Sequence, residues 1–483
     1  MMSELHDKVT KATKWSAMTE LAAKLLTPIV NIVLARLLTP DAFGVVATLT
    51  MVITFAEIFT DAGFQKYLIQ HTFQDENDRE ESTTVAFWTN LLMSMLLWSV
   101  IIIFADPLAA LVGNPGLGGV LIVACASIPI AAFSSIQMAL YKRDLDFKTL
   151  FKVRMIGILV PVFVTVPLAI VFRSFWALVI GTLAKDAVNA FVLTYFSKWK
   201  PRLFYSFVKL KEMISFTVWS ITEQICVWLT TYVDVFIVGT MLSQHYLGLY
   251  KISSTLVGQL MGLVTAVTTP VLFASLARLQ DDEQAFQSLF FRFQKIVSLL
   301  VMPIGVGVFL FKDFVTSIFL GEQWMEASGF IGLWAFTSAI TIVLSHYSSE
   351  VYRAKGKPRL SVLAQALHLI VLWPVVFIAV RYGFETLYTA RSLVRFEGIL
   401  VDLLLMTFVI GISGVKMFVN IMPSMIAAAS MIALYLLLPP AQTIWQNIFY
   451  IVLCALCYMG IISLFSQERQ VMLHLRKVVR NHP

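Results

Sequence analysis

Charge is scarce in this chain. Asp, Glu, Lys and Arg together make up 13% of the 483 residues, against roughly a quarter in soluble globular proteins, so most of the chain cannot present a wetted surface. Also missing are a nucleotide-binding loop, a cluster of metal ligands and an activated nucleophile, which leaves none of the usual machinery of an enzyme. Cysteine is limited to Cys125, Cys226, Cys454 and Cys457, all inside apolar runs. Cys454-x-x-Cys457 has redox or zinc spacing, but no second ligand pair lies nearby, and packing inside a span is the reading we take. The net charge of +7 is not gathered on one patch; the basic residues lie between apolar runs, which argues against a nucleic-acid partner. Residues 1–14 are polar and basic and lead into a full-length, charge-bearing helix, so a cleavable signal peptide is not expected.

Apolar length is what the chain has in abundance. It is 58% hydrophobic, with a mean hydropathy of +0.81. Windowed apolarity places about fourteen spans, near 15–38, 42–68, 84–105, 118–141, 153–172, 174–196, 213–241, 246–277, 288–311, 327–347, 360–381, 386–411, 421–438 and 445–465. The expected fold class is an all-α polytopic membrane protein. Lys8, Lys11 and Lys14 precede the first span, and Lys142, Arg143, Lys148, Lys152 and Arg154 surround the turn after the fourth. Lys198, Lys200, Arg202, Lys209 and Lys211 follow the sixth, Arg353, Lys355, Lys357 and Arg359 the tenth, and Arg469, Arg476, Lys477 and Arg480 the last. If spans alternate, all of these share one side, which the positive-inside rule makes cytoplasmic, with both termini inside. One inside loop departs from the rule, because Asp75, Glu76, Asp78, Glu80 and Glu81 outweigh Arg79 there.

An internal repeat sets the expected organisation. Glu20 and Asn31 recur 203 positions later as Glu223 and Asp234, and after a one-residue insertion Phe43-Gly44-Val45 recurs as Leu247-Gly248-Leu249. Six spans separate the copies, and an even number puts them in parallel orientation about an axis along the membrane normal. This implies a six-helix bundle over 1–196, a basic cytoplasmic linker over 197–212, and a second six-helix bundle over 213–412 facing the first across a central cavity. Two additional helices over 413–465 and a basic cytoplasmic tail over 466–483 complete the chain. The additional helices either line a lipid-facing groove or pack on one bundle.

Residues 15–70 carry charge where a membrane span ought not to. Glu20, Lys24, Asn31, Arg36, Glu57 and Asp61 lie on two long apolar helices joined by Leu38-Thr39-Pro40-Asp41. A mid-span charge costs roughly 2.5–3.5 kcal/mol on insertion scales, so these side chains should face protein or a water-filled cavity. Pro28, Pro161, Pro167, Pro270, Pro303 and Pro374 fall within spans and mark either hinges or ordinary helix curvature. Trp219, Trp228 and Tyr232 form a stripe that fits either packing or stacking on sugar rings.

The run Ala35-Arg36-Leu37-Leu38-Thr39-Pro40-Asp41-Ala42-Phe43-Gly44, with Phe59-Thr60-Asp61-Ala62-Gly63-Phe64 and Leu68-Ile69-Gln70, resembles the signature of the polysaccharide transporter family, in its colanic-acid-exporter-like group. Tyr141-Lys142-Arg143-Asp144-Leu145-Asp146-Phe147-Lys148 and Phe319-Leu320-Gly321-Glu322-Gln323-Trp324 are similar to that group's later motifs. The resemblance runs over nearly the whole chain. It implies a flippase of the multidrug/oligosaccharidyl-lipid/polysaccharide exporter superfamily, moving undecaprenyl-pyrophosphate-linked oligosaccharide repeat units across the bacterial inner membrane by alternating access of the two bundles. The products would be lipopolysaccharide, exopolysaccharide or capsule; membrane lipids, a polysaccharide polymerase and other assembly proteins would be partners. The alternative is a cation-coupled drug or lipid exporter of the same superfamily. A membrane glycosyltransferase, ligase or polymerase would need a sizeable extracytoplasmic loop, and the outside loops here are short.

A pyrophosphate in a solvated chamber needs cations and hydrogen-bond donors. The substrate-binding candidates are Lys24, Asn31, Lys185, Arg292, Lys295, Arg391 and Arg395. Arg391, Arg395 and Asp402 share a helix face at i, i+4 and i+11. Lys24 and Lys185 either contact substrate or pair internally, and Arg36, Lys251 and Lys295 lie near enough to span ends to snorkel. The coupling or gating candidates are Glu20, Glu57, Asp61, Asp186, Glu223, Asp234 and Asp402. Glu57 and Asp61 point two like charges one way and require a cation, a proton or a basic partner. No cofactor is expected; H+ coupling, Na+ coupling and use of the membrane potential alone stay open.

Overall fold

The computed structural model describes residues 2–466 and Glu468; within that range the side chains of Asp61, Trp219, Glu223 and Cys226 lie outside the described set. Among the described residues there are helices and no strand. The chain divides into two compact units, one ending at Lys251 and the other starting at Ile252. The first unit holds α1 (Met2–Leu37), α2 (Pro40–Gln70), α3 (Glu76–Ile103), α4 (Ala105–Leu111), α5 (Gly118–Cys125), α6 (Ser127–Arg143), α7 (Phe147–Val160), α8 (Val166–Phe172), α9 (Phe175–Phe196) and α10 (Phe207–Met241). The division falls within α11 (Gln244–Ala277). The second unit continues with α12 (Glu283–Leu310), α13 (Lys312–Phe319), α14 (Ser328–Thr341), α15 (Ser348–Ala354), α16 (Arg359–Ala379), α17 (Phe384–Leu393), α18 (Arg395–Leu405), α19 (Gly414–Leu437) and α20 (Ile444–Leu464). The expected boundaries at 197 and 213 fall in the irregular stretch 197–206 and inside α10.

Twelve of the predicted spans coincide with helices, or runs of helices, long and apolar enough to cross a membrane. The other two, 213–241 and 386–411, are helical as well: α10 contributes a shorter apolar stretch, Val227–Met241, and the second is α17 with α18, which carry Arg391, Arg395, Glu397 and Asp402. Large apolar side chains such as Phe163, Val171, Phe191 and Phe408 are exposed on these helices. In a soluble protein such patches would drive association; here they mark the lipid-facing surface of a multi-pass membrane protein. The ends are set locally: Pro40 opens α2 after Thr39, Asp282 caps α12 by accepting from the Ala285 N–H, and Thr443 forms a capping box with Gln446 at α20. Pro28, Pro270, Pro303 and Pro374 sit inside continuous α-helices, whereas Pro161 opens a π-helical turn, Pro161–Thr165, between α7 and α8. Two further π-turns, Ile342–His346 and Met406–Ile410, arise without proline.

The acidic loop that ran against the charge rule is neutralised by the basic linker. Glu80 pairs with Arg202 at 2.6 Å, Asp78 with Lys209, and Arg79 reaches both carboxylate oxygens of Asp144 at 2.9 Å. The indole N–H of Trp88 donates to the Arg202 carbonyl at 2.7 Å, and Trp199 packs edge-on to Phe87. The linker is therefore clipped to the end of α3.

The repeated glycines also have a structural role within the first unit. A Cβ on Gly44 would collide with the backbone carbonyl of Gln244, and one on Gly248 with that of Pro40. Each copy of the repeat thus places its glycine against the first residue of the other copy's helix, which only glycine permits. Nearby, Gln244 Nε2 donates to the Gly113 carbonyl at 2.6 Å, and Trp228 Nε1 donates to Met51 O and Thr54 Oγ1 at 3.3 and 3.2 Å. Trp228 is bound into α2 rather than displayed. In the second unit, α19 packs on α12 and α20 on both, tied by Ser298 to Ser424 at 2.9 Å and by Tyr458 OH to Leu299 O at 3.3 Å.

Candidate functional site

Each unit encloses a polar cavity of its own. In the first, a cavity of about 960 Å³ opens among α1, α2, α6, α7, the first π-turn and α9. Glu20, Asn31, Glu57, Lys185 and Asp186 line it, together with Lys142, Arg154 and Asn189. Its walls approach closely because of two glycines. A Cβ at Gly157 would lie 2.8 Å from Asn189 Oδ1, and one at Gly181 would overlap Thr165 Oγ1, so α7 and α9 meet through polar side chains. Thr165 belongs to the π-turn, whose wider backbone turns its hydroxyl toward α9. Lys185 Nζ lies 3.5 Å from Asp186 Oδ1, with side chains 40% and 19% exposed. Neighbouring residues on a helix point in different directions, so the lysine stem bends to reach its partner and keeps room to swap it. Asn189 Oδ1 is buried and makes no hydrogen bond within the protein.

The second unit builds its cavity, about 530 Å³, from α11, α14, the second π-turn, α15, α16 and α18. Arg395 lies with its guanidinium 3.3 Å from the centre of the Trp334 ring and donates to Ser338 Oγ at 2.5 Å. Arg391 lies on the same indole at 5.0 Å. Such stacking is worth about 0.5–2 kcal/mol, more where water is excluded. Asp402 accepts hydrogen bonds from Ser345 Oγ at 2.5 Å and Tyr352 OH at 2.9 Å. Ser345 stands on the second π-turn, so in both units a locally widened helix lines the polar space.

The remaining sequence-predicted residues lie elsewhere. Lys24 is half-buried on α1 and is not among the residues lining the first cavity. Asp234 is buried between α10 and α11, accepting from Tyr250 OH at 2.5 Å and the Val235 N–H at 2.8 Å. Lys251 lies 5.4 Å from the centre of the Tyr232 ring nearby. Arg292 is exposed on α12. Lys295 pairs with Glu468 at 3.0 Å in a groove of about 600 Å³ that Lys416 and Asn420 of α19 also line. Asp61 and Glu223 lie outside the described side chains. Cys125, Cys454 and Cys457 are free thiols in packed positions.

The residues that sequence reasoning passed over are of two kinds. Lys142 and Arg154 were read as loop cations at an inside turn, yet both reach the first cavity. Trp334, Ser338, Ser345 and Tyr352 carry no charge and sit in apolar runs, so nothing in hydropathy separates them from packing residues.

Fold and cavities together define a multi-pass helical membrane protein that keeps ionised side chains inside its units. The sequence profile of a family described as "Polysaccharide biosynthesis protein" matches residues 33–329, and the chain belongs to that family. All the motif blocks quoted above fall within the matched stretch. An uncharacterised membrane protein of the cps region of Klebsiella pneumoniae is 24% identical over 377 residues, covering 77% of this chain and 76% of that protein. The teichuronic acid biosynthesis protein TuaB of Bacillus subtilis is 22% identical over 447 residues, covering 89% of both. Among solved structures, the lipid II flippase MurJ in an inward closed conformation superposes with a TM-score of 0.74 at 14% identity, covering 94% of this chain and 99% of MurJ, which shows the fold.

Proposed function

We propose that this chain is a flippase that carries undecaprenyl-pyrophosphate-linked oligosaccharide repeat units from the cytoplasmic to the periplasmic leaflet of the bacterial inner membrane, for lipopolysaccharide, exopolysaccharide or capsule assembly. One observation carries the reading: a member of the polysaccharide biosynthesis protein family holds Lys142, Arg154 and Lys185 around a polar cavity inside a membrane-embedded unit. The chain acts as a transporter rather than an enzyme. The cations bind the pyrophosphate by charge and by the fork of Arg154, Asn31, Asn189 and the threonine hydroxyls meet sugar hydroxyls, and the polyprenyl tail stays in lipid. Both termini face the cytoplasm, as the distribution of Lys and Arg requires. A polysaccharide polymerase receives the flipped unit. An anionic head group leaving an inside-negative cell gains about 2.3 kcal/mol per charge per 100 mV, so the potential favours export without chemistry.

Deleting the gene tests the reading. Loss of a surface polysaccharide with accumulation of its lipid-linked precursor supports it; intact polysaccharide with altered drug sensitivity favours the exporter alternative and overturns it.

A further inference from the structure

One ionisable pair in the second unit has no task in the binding of cargo. His368 lies near the middle of α16, about 14 Å from the helix start at 1.5 Å per residue. Its Nδ1 is 2.8 Å from Glu397 Oε2 on α18, and the two side chains are 23% and 24% exposed. The approach depends on the next residue of α18: a Cβ at Gly398 would lie 3.3 Å from His368 Nδ1, which a side chain there would tolerate poorly. An ionised pair inside a membrane span costs more than apolar residues of the same volume, so keeping one needs a reason beyond packing.

Asp402 supplies the connection. It lies five positions along α18 from Glu397, within electrostatic range of both His368 and Glu397, and it lines the cavity of the second unit. Other titratable or charged groups on the elements packed around α16 and α18 are already engaged. Arg391 and Arg395 lie on Trp334, Tyr352 donates to Asp402, and Glu350 pairs with Arg353. His346 of the π-turn meets Thr269 Oγ1 at 3.3 Å.

The donor set speaks for a proton and against a metal cation. A hard cation takes a shell of oxygens. Here Glu397 faces a ring nitrogen, and the Asp402 oxygens already receive hydroxyl hydrogens from Ser345 and Tyr352. Among the described residues no group of three or more His, Cys, Asp or Glu could hold a metal ion.

We propose that His368 and Glu397 form the proton-binding site that couples transport to the proton gradient, with Asp402 as the station between that site and the cavity; this rests on the flippase reading above. A proton entering from the periplasmic side passes from Asp402 to the imidazole, which becomes a cation held by the Glu397 carboxylate. It is released to the cytoplasm as cargo moves outward, leaving the bonding electron pair on the ring nitrogen. Nothing is oxidised or reduced, and the charge of the pair returns to its starting value each cycle.

The test uses the full chain in two arms. In proteoliposomes loaded with the lipid-linked oligosaccharide that accumulates in the deletion strain, an imposed pH gradient is expected to speed flipping by wild type at least about threefold, a difference of ~0.65 kcal/mol. His368→Lys, a cation that does not cycle, and Glu397→Gln are each expected to abolish that response while keeping the gradient-free rate within about threefold of wild type, the same ~0.65 kcal/mol. A gradient response surviving in either variant overturns the proposal. The second arm needs no cargo: nitrogen NMR of histidine-labelled protein in nanodiscs at neutral pH is expected to show an imidazolium signal that His368→Gln removes and Glu397→Gln converts to neutral imidazole. A neutral ring at His368 in wild type overturns the proposal whether or not cargo moves. Absence of wild-type flipping alongside an intact imidazolium signal would instead sink the flippase reading and, with it, the coupling assigned to the pair.

Discussion

The cavities of the two units treat charge in opposite ways. In the first, oppositely charged side chains share one large space, and Lys185 and Asp186 meet at 3.5 Å from adjacent positions on one helix. In the smaller second cavity each ion is held by uncharged groups: Arg395 by an indole face and a serine hydroxyl, Asp402 by two hydroxyls. A loose ion pair exchanges partners at little cost when an anion arrives, whereas a guanidinium stacked on a ring is held in one orientation. The first arrangement suits a large anionic cargo that comes and goes, and the second suits a fixed field around a small ion.

Substitutions separate the two. Lys185→Ala is expected to reduce polysaccharide export at least about tenfold, the factor that ~1.4 kcal/mol represents, at unchanged membrane abundance. Full export by this variant would remove the first cavity from cargo binding. Arg395→Lys keeps the charge but loses the stacked plane, and a loss of about fivefold is expected, within the ~0.5–2 kcal/mol of such contacts. If lysine serves as well as arginine there, the second cavity is no more ordered than the first. Tyr352→Phe removes one hydrogen bond to a carboxylate and leaves Ser345 in place; it should lower thermal stability by about 1.5 kcal/mol in a detergent melt while changing export less than Arg395→Lys does. Lys24→Ala should change export less than about twofold, or ~0.4 kcal/mol, because Lys24 does not line the first cavity. A loss equal to that of Lys185→Ala would put Lys24 back beside the cargo.

The smallest effect lies outside both cavities. The hydrogen bond to Asp78 holds the Lys209 ammonium above its ordinary value of 10.5. Because that value is raised, the pair's contribution is complete below the ordinary lysine range and disappears only as the pH climbs through the higher folded value. Lys209→Met should therefore lower the melting temperature by the same small amount at about pH 6 and about pH 9, since a lysine with an ordinary value near 10.4 stays charged at both. A difference that grows between those conditions would break the assignment.

Much of the fold was legible because a membrane span is a long apolar run, and length alone suffices to find it. The π-turns were not. Ile342–His346 and Met406–Ile410 contain no proline or glycine, and an extra residue per turn leaves no mark on hydropathy. The cavity ions Glu20, Glu57, Lys185, Arg395 and Asp402 stood out because charge inside a span is rare. Depth along a helix, however, does not say which way a side chain faces, and so Arg292 was named as readily as Arg395 although it is exposed. His368 and Glu397 drew no notice because their relation exists only once α16 lies against α18.

The reciprocal fit of Gly44 and Gly248 ties the fates of two positions that descend from one. A methyl group added at either pushes on the same pair of helix starts, so the second such change meets a gap the first has already forced open. Their penalties should not sum, as is usual for residues in contact. Within a duplicated gene, these two sites answer to a single constraint and have little freedom to diverge separately.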